Sequence, residues 1–143
     1  MRGYGDSEKP LKLSQYDLDI LIKDLKGIIE ALGYKKCVLV CHDWGACIGF
    51  WFVRNHMNMV SKYVMMGAPA VEAWGKIVLS EWDQFKKSWY IFFFQMPFMP
   101  EFVSSLNDYA LLKQIGSGKI SDTFTEEDLE AYKYTFSKEG TLF

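Results

Sequence analysis

Apolar side chains recur with helical spacing near the start of the chain. They occupy positions 18, 21, 22, 25, 28, 29 and 32, which fall on one face of a helix. Ser14 and Asp17 form a capping-box pattern at the beginning of this run, and Gly33 follows it, where glycine commonly ends a helix. The pattern predicts an amphipathic helix over residues 14–32.

The next apolar segments have the lengths of two strands separated by a helix. Residues 38–40 are typical of a fully buried parallel strand, and residues 63–66 of a second strand. Residues 44–56 are apolar on nearly all sides, as expected for a helix packed on the centre of a sheet. A strand, a helix and a strand with short connections predict a right-handed parallel crossover.

The pattern changes after Pro69, where it predicts helices and no further strand. The helical candidates are residues 74–87, 101–112 and 126–136. Thr125 and Asp128 repeat the capping-box pattern before the last candidate. Glycine and serine are frequent in residues 115–122, which predicts a flexible loop there.

The composition is ordinary for a globular protein except for its aromatic content. Of 143 residues, 50% are hydrophobic, 24% are charged and 17% are aromatic. The aromatic residues concentrate after residue 74, which suits helices that line an apolar pocket and equally suits a plain packed core. Because the net charge is only −2, we expect no nucleic-acid partner.

The cysteines and the apolar runs exclude several further classes. Cys37, Cys41 and Cys47 are odd in number and have neither metal-ligand spacing nor the pattern of a disulfide framework, so we expect reduced, buried thiols and no metal. Unbroken apolar stretches such as residues 90–94 are far shorter than the roughly 18 residues that a membrane span needs. We therefore predict no transmembrane segment, and no signal-peptide pattern is visible.

An abrupt turn joins the first predicted strand to the helix that follows it. Residues 35–46 read KKCVLVCHDWGA, with Asp43 at the apex and the small residues Cys41 and Gly45 two positions to either side. Small residues there let the chain reverse within one strained turn, as in a nucleophile elbow. A carboxylate nucleophile forms an ester when it attacks an sp³ carbon. On the turn alone, an aspartate that merely caps the helix is an equal alternative.

Several segments resemble those of the epoxide hydrolases of the α/β-hydrolase fold. The elbow HDWGA at 42–46 is similar to theirs, as are RGYGDSEKP at 2–10, LGY at 32–34, GAP at 67–69, the lid-tyrosine segment SWYIFFFQMP at 88–97 and YKYTFSKEG at 132–140. The resemblance is greatest to the animal epoxide hydrolase 3 and 4 type. It implies an α/β fold class, a partial α/β-hydrolase fold, with a core over residues 1–70 and a helical cap over residues 71–143.

The resemblance implies a reaction that opens epoxides to vicinal diols through an alkyl ester on Asp43. Tyr90 would be the lid proton donor that stabilises the departing alkoxide, and the backbone N–H of Trp44 would belong to the oxyanion hole of the second step. Without the resemblance, Tyr90 is more often a packed aromatic, and Trp44 simply a large residue that opens a helix. The implied substrate is a small apolar epoxide, with no cofactor.

The chain departs from the family pattern at two places that bear on substrate fit more than on fold. Cys41 replaces the usual glycine, and Ala70-Val71 replaces a His-Pro pair. We expect His42 to make structural hydrogen bonds under the turn and His56 to face solvent at a helix end. In the family, the catalytic histidine and its acid lie downstream of the lid. We therefore expect a fragment or short isoform without turnover on its own.

Two other interpretations remain open from the sequence. A second enzyme that the chain resembles, a haloalkane dehalogenase, also uses aspartate in a His-Asp-Trp-Gly elbow, although Tyr90 and residues 2–5 favour the epoxide enzyme. A non-catalytic binding module is the third, because exposed strand edges and apolar faces favour association. The chain itself indicates no compartment. The resemblance implies an intracellular protein associated with the endoplasmic reticulum membrane, through an anchor that precedes the catalytic domain in relatives and is not seen here.

Overall fold

The computed structural model describes residues 1–116 and 125–141, with side chains through residue 110 in the first range. The chain forms two compact units, each described here by itself. The first contains Lys12–Lys86 together with Met1, and the second contains Arg2–Leu11 and Lys87–Phe143. The predicted division between residues 70 and 71 stays a prediction.

The first helix begins later than its apolar pattern predicts. A 3₁₀ helix over Leu13–Tyr16 precedes helix α1, Leu18–Ala31, and the two are separated by Asp17 in an extended conformation. The predicted capping box of Ser14 and Asp17 is wrong, because Ser14 lies inside the 3₁₀ turn and the side chain of Asp17 makes no cap bond.

The end of α1 follows the prediction closely. Gly33 has φ +78°, and its N–H donates to the carbonyl of Glu30 at 2.9 Å. The N–H of Tyr34 donates to the carbonyl of Ile29 at 3.1 Å. These two bonds form a Schellman motif with Gly33 at the position that favours left-handed backbone, so the predicted role of this glycine is confirmed.

The sheet consists of two parallel strands, β1 over Cys37–His42 and β2 over Val60–Met66. Helix α2, Trp44–Asn55, connects them together with a 3₁₀ turn at Met57–Met59. The parallel pairing confirms the predicted strand-helix-strand unit. In the register of the sheet, Leu39 lies opposite Tyr63, and His42 lies opposite Met66.

The prediction that β1 is fully buried is wrong. Leu39 is buried, but the side chains of Val38 and Val40 on the opposite face are each 57% exposed. A parallel strand is buried on both faces only when helices cover both faces of its sheet. In the described part of the chain, helix α2 packs against this sheet and α1 packs against α2. The core of the unit consists of Ile22, Ile29, Leu39, Phe52 and Met59.

Among the described residues beyond Met66, every regular element is a helix. These are α3 over Val71–Ser80, α4 over Trp82–Lys87, α5 over Trp89–Phe93, α6 over Met99–Gly116 and α7 over Glu126–Phe136. The single helix predicted over 74–87 is divided, because Glu81 is extended and separates α3 from α4. Helix α6 is interrupted by non-helical backbone from Leu106 to Tyr109.

Helix α7 has the predicted bounds and the predicted N-terminus. The Thr125 side chain accepts from the Asp128 N–H, and the Asp128 carboxylate accepts from the Thr125 N–H at 2.8 Å, so this capping box is confirmed. The loop predicted over 115–122 begins within α6, and the rest of it lies outside the described residues. No helix in the described ranges is long and apolar enough to cross a membrane.

Candidate active site

Asp43 occupies the turn between β1 and α2 in a conformation that is rare for a residue with a side chain. Its φ is +54° and its ψ is −125°. Such backbone costs about 1–3 kcal/mol and persists only where the surroundings hold it in place. The residue is exposed, and its side chain makes no bond that caps α2. The capping alternative therefore lacks the hydrogen bond that defines it.

Backbone hydrogen bonds hold the Asp43 turn on both sides. The Asp43 N–H donates to the carbonyl of Met66, the last residue of β2, at 3.0 Å. The Asp43 carbonyl accepts the N–H groups of Ala46 at 2.9 Å and of Cys47 at 3.3 Å, which start α2. The chain therefore passes from strand to helix at a single strained residue, as in a nucleophile elbow.

Gly67 provides space beside the turn. Its φ is +66°, and a Cβ atom placed there would lie only 2.8 Å from Nε2 of His42. The His42 ring therefore lies against a position that only glycine can occupy without strain. The hydrogen bonds predicted for His42 stay a prediction.

Gly49 allows α2 to approach β1 closely. A Cβ atom on Gly49 would lie 2.5 Å from Sγ of Cys41 and 3.3 Å from Cε2 of Tyr63. The cysteine at the elbow position, where the resemblance implies glycine, is thus accommodated by a glycine on the facing helix. Sequence reasoning missed Gly49, although a glycine inside a predicted helix is a signal of close packing.

Tyr63 is a second residue that sequence reasoning missed. It lies on β2, half-buried, and its hydroxyl donates to the carbonyl of Ala46 at 2.7 Å. Burial raises the pKa of its phenol, and the nearby Cys41 and Cys47 thiols raise it further. The hydroxyl group therefore remains a donor at neutral pH.

The three cysteines are free thiols and are half-buried rather than buried. Burial raises the pKa of Cys47, and the negative charge of Asp43 raises it further. Burial also raises the pKa of Cys41. Because the thiolate is the reactive form, both thiols are poor nucleophiles at neutral pH.

Trp44 is the first residue of α2 and directly follows Asp43. The first N–H groups of a helix have no partner within the helix and form the positive end of its dipole. The backbone N–H of Trp44 is therefore one of the donors at this helix end, while its indole is 46% exposed. Its membership of an oxyanion hole stays a prediction.

Tyr90 lies in α5, in the second compact unit. Its side chain is 40% exposed, and its ring makes an edge-on contact with Phe94 at a centroid distance of 6.2 Å. Its role as proton donor stays a prediction. Asp43 and Trp44 are thus adjacent in the first unit, and Tyr90 belongs to the second.

The second histidine, His56, is only partly as predicted. It follows α2 as its C-cap residue, but it is half-buried, and its ring lies 5.1 Å from the ring of the core residue Phe52.

Within the described residues, no group of three or more His, Cys, Asp or Glu side chains could hold a metal ion.

The family model described as alpha/beta hydrolase fold matches residues 1–117. This chain belongs to the α/β hydrolase fold family. The match confirms the predicted fold class, and the helices beyond Pro69 agree with a helical cap.

Similar proteins agree with the predicted resemblance. This hydrolase-fold chain is 40% identical to epoxide hydrolase 4 of Homo sapiens, over 99% of its own length and 41% of the relative's. It is 37% identical to epoxide hydrolase 3 of Xenopus tropicalis, over 99% of its length and 40% of the relative's. The resemblance to the animal epoxide hydrolase 3 and 4 type is confirmed.

A solved structure gives the same result. A crystal structure of a mutant epoxide hydrolase from Bacillus megaterium superimposes with a TM-score of 0.85 at 30% identity. That comparison covers 99% of this hydrolase-fold chain and 51% of the other. The chain therefore spans about half the length of that structure and about two fifths of its curated animal relatives.

Proposed function

We propose that this chain carries the nucleophile and the lid helices of an epoxide hydrolase. The observation that carries the proposal is the strained backbone of Asp43, which exposes a carboxylate that caps no helix. A residue is held in such a conformation only at a cost, and strain of this kind clusters at active sites.

In the proposed first step, a carboxylate oxygen of Asp43 attacks one carbon of the epoxide ring. A C–O ester bond forms as the ring C–O bond breaks, and the electron pair stays on the departing oxygen. The Tyr90 phenol donates its proton to that alkoxide and recovers it from water. The product is a 2-hydroxyalkyl ester on Asp43.

The second step, hydrolysis of the ester, needs a water molecule activated by a base. The family resemblance assigns this base to a histidine downstream of the lid. Of the two histidines in this chain, His42 lies against Gly67 and His56 packs on Phe52. We infer that this chain alone forms the ester and does not turn over.

The proposed substrate is a small apolar epoxide. Aromatic side chains around Tyr90 are exposed and offer an apolar surface, among them Trp89, Phe92 and Phe94. An intracellular location at the endoplasmic reticulum membrane stays a prediction from the resemblance.

Intact-mass measurement after incubation with styrene oxide tests the proposal. We expect a single adduct of one epoxide, mapped to Asp43 by peptide sequencing and lost in Asp43→Asn. Asp19→Asn removes an exposed carboxylate of α1 and is the matched control that keeps the adduct. An adduct that persists in Asp43→Asn, or sustained diol formation by the wild-type chain, contradicts the proposal.

The haloalkane dehalogenase alternative would use the same aspartate. A 1-haloalkane would then give an alkyl ester on Asp43 and release halide, whereas styrene oxide would give none. The relatives described above are epoxide hydrolases by name, so the epoxide is the first probe.

A further inference from the structure

Strand β2 contacts the Asp43 turn at two points. At its end, the carbonyl of Met66 accepts the N–H of Asp43 at 3.0 Å. Three residues earlier, the Tyr63 hydroxyl donates to the carbonyl of Ala46 at 2.7 Å. One strand therefore bonds to the strained residue and to the first turn of the helix that follows it.

The bond from Tyr63 is a second hydrogen bond to the Ala46 carbonyl. In an α-helix the carbonyl of residue 46 is the acceptor for the N–H of residue 50, so it already has a donor of its own. A carbonyl oxygen has two lone pairs, and the phenol occupies the second. The additional bond therefore fixes where the first turn of α2 lies on the sheet.

The surroundings of Tyr63 hold its ring in place. The ring and the Cys41 thiol both lie against Gly49, where a Cβ atom would collide with Cys41 Sγ at 2.5 Å and crowd the Tyr63 ring at 3.3 Å. The absence of a Cβ atom there lets α2 lie close enough to β2 for the phenol to reach the Ala46 carbonyl. Burial raises the pKa of the phenol, which keeps the donor protonated.

We propose that Tyr63 is a positioning residue for the Asp43 nucleophile. Its hydroxyl anchors the first turn of α2 to β2, and this anchor holds the Asp43 backbone in the conformation that exposes the carboxylate. The positioning role rests on the proposed function, whereas the anchor itself does not depend on any activity.

Tyr63→Phe removes only the hydroxyl group and keeps the ring that packs on Gly49. Tyr34→Phe is the matched control, because it removes a phenol hydroxyl from a side chain of the same unit that is 63% exposed. The full chain carries both variants, and a thermal unfolding curve establishes that each is folded.

The first measurement is hydrogen exchange at the amides of Asp43, Ala46 and Cys47, which form the bonds of the turn. A lost intramolecular hydrogen bond of this kind predicts exchange about two- to tenfold faster at these amides in Tyr63→Phe. Amides of α1 and the Tyr34→Phe variant should exchange at the wild-type rate. Unchanged exchange at the turn, or equal acceleration throughout the unit, overturns the anchor.

The second measurement is the rate of ester formation with styrene oxide over a range of concentrations. We expect the maximal rate to fall about two- to tenfold in Tyr63→Phe, with the half-saturating concentration unchanged, because the bond orients the nucleophile and does not touch the substrate. An unchanged maximal rate overturns the positioning role even if the exchange result supports the anchor.

The two measurements separate the failure of this inference from failure of the proposed function. If the wild-type chain forms no adduct at Asp43, the proposed function fails, and hydrogen exchange alone decides whether Tyr63 anchors the turn. If the wild-type chain forms the adduct and Tyr63→Phe forms it equally fast, the function stands and the positioning role falls.

Discussion

The elbow and the last helices of the chain are stabilised by different kinds of contact. At the elbow, the bonds from Asp43 to Met66 and from Tyr63 to Ala46 join segments that are distant in sequence, beside glycines with no room for a side chain. In the second unit, α7 begins with a capping box formed by neighbouring exposed side chains. We therefore expect substitutions at the elbow to be costly and substitutions at the helix ends to be tolerated.

The second unit also uses charged pairs that reach across the sequence. Lys133 of α7 donates to Asp108 at 2.5 Å and to Glu130 at 2.6 Å, and both carboxylates raise its pKa. Lys138 donates to Asp6 at 2.7 Å. The carboxylates of these pairs are exposed, and ion pairs at a surface contribute little individually and are screened by salt. We therefore expect the largest effects of substitution at the elbow and the smallest at these pairs.

Gly67→Ala should cause the largest loss of stability. Alanine at φ +66° is strained, and its Cβ atom would lie 2.8 Å from the His42 ring, so we expect a loss of about 2–3 kcal/mol in the free energy of unfolding. Urea denaturation followed by tryptophan fluorescence measures it. Gly27→Ala is the control, since this α1 glycine has open space around it and alanine favours a helix interior by about 1 kcal/mol.

Gly49→Ala should cause the next largest loss of stability, about 1–2 kcal/mol in the free energy of unfolding. The collision of the new Cβ atom with Cys41 outweighs the gain in helix propensity. Cys41→Ala removes the Sγ atom that the new Cβ would meet at 2.5 Å. We expect the double variant to recover about 1 kcal/mol relative to the sum of the single changes. Simple additivity in this double-mutant cycle would show that the two positions do not restrict each other.

The sequence predicted the elements that depend on local patterns. The glycine that ends α1, Gly33, and the capping box of Thr125 are short-range signals. In the structure both lie at the helix ends that the sequence predicted. The elbow was equally visible, because small residues around Asp43 are a local requirement of the turn. The role of Asp43 as nucleophile stays a prediction, as do those of Tyr90 and Trp44.

Features that depend on contacts between distant segments were missed or misjudged. The Tyr63 hydroxyl donates to a carbonyl 17 residues away in the sequence, and no pattern of residues within β2 predicts this bond. The buried character assigned to Val38 and Val40 assumed helices on both faces of the sheet, and in the described chain these side chains are exposed. The early start predicted for α1 failed because Asp17 adopts extended backbone between two helical turns.

Thr125→Ala tests the capped end of α7, where we expect a smaller and local effect. Loss of an N-cap costs about 1 kcal/mol of helix stability, measured as faster hydrogen exchange in the first turn of α7. The hydrogen bonds from Thr125 lower the pKa of Asp128 from its ordinary value of 3.8. The stabilisation from Asp128 is therefore present above pH 3.8 and is lost as the pH falls through the lowered value. The difference between variant and wild type should shrink in acid to the part that the Thr125 hydroxyl contributes by accepting the Asp128 N–H. A difference that stays the same in acid would contradict this origin.

Asp6→Asn should have the smallest effect on stability of the four substitutions, after those at Gly67, Gly49 and Thr125. The Asp6 side chain is 96% exposed, and its bond to Lys138 lowers its pKa. The bond is therefore intact above the ordinary carboxyl range and is lost in acid. Salt weakens an exposed ion pair, because the Debye length falls from about 10 Å at 0.1 M to about 3 Å at 1 M. Protease cleavage within residues 2–10 should therefore be faster in the variant at low salt, and nearly equal to wild type at about 1 M salt. Asp19→Asn, at the start of α1, should leave that cleavage unchanged. If Asp6→Asn were also cleaved faster at high salt, residues 2–10 would depend on this contact far more than an exposed ion pair allows. The second unit would then be as sensitive to a single contact as the elbow is, and the two regions would not differ.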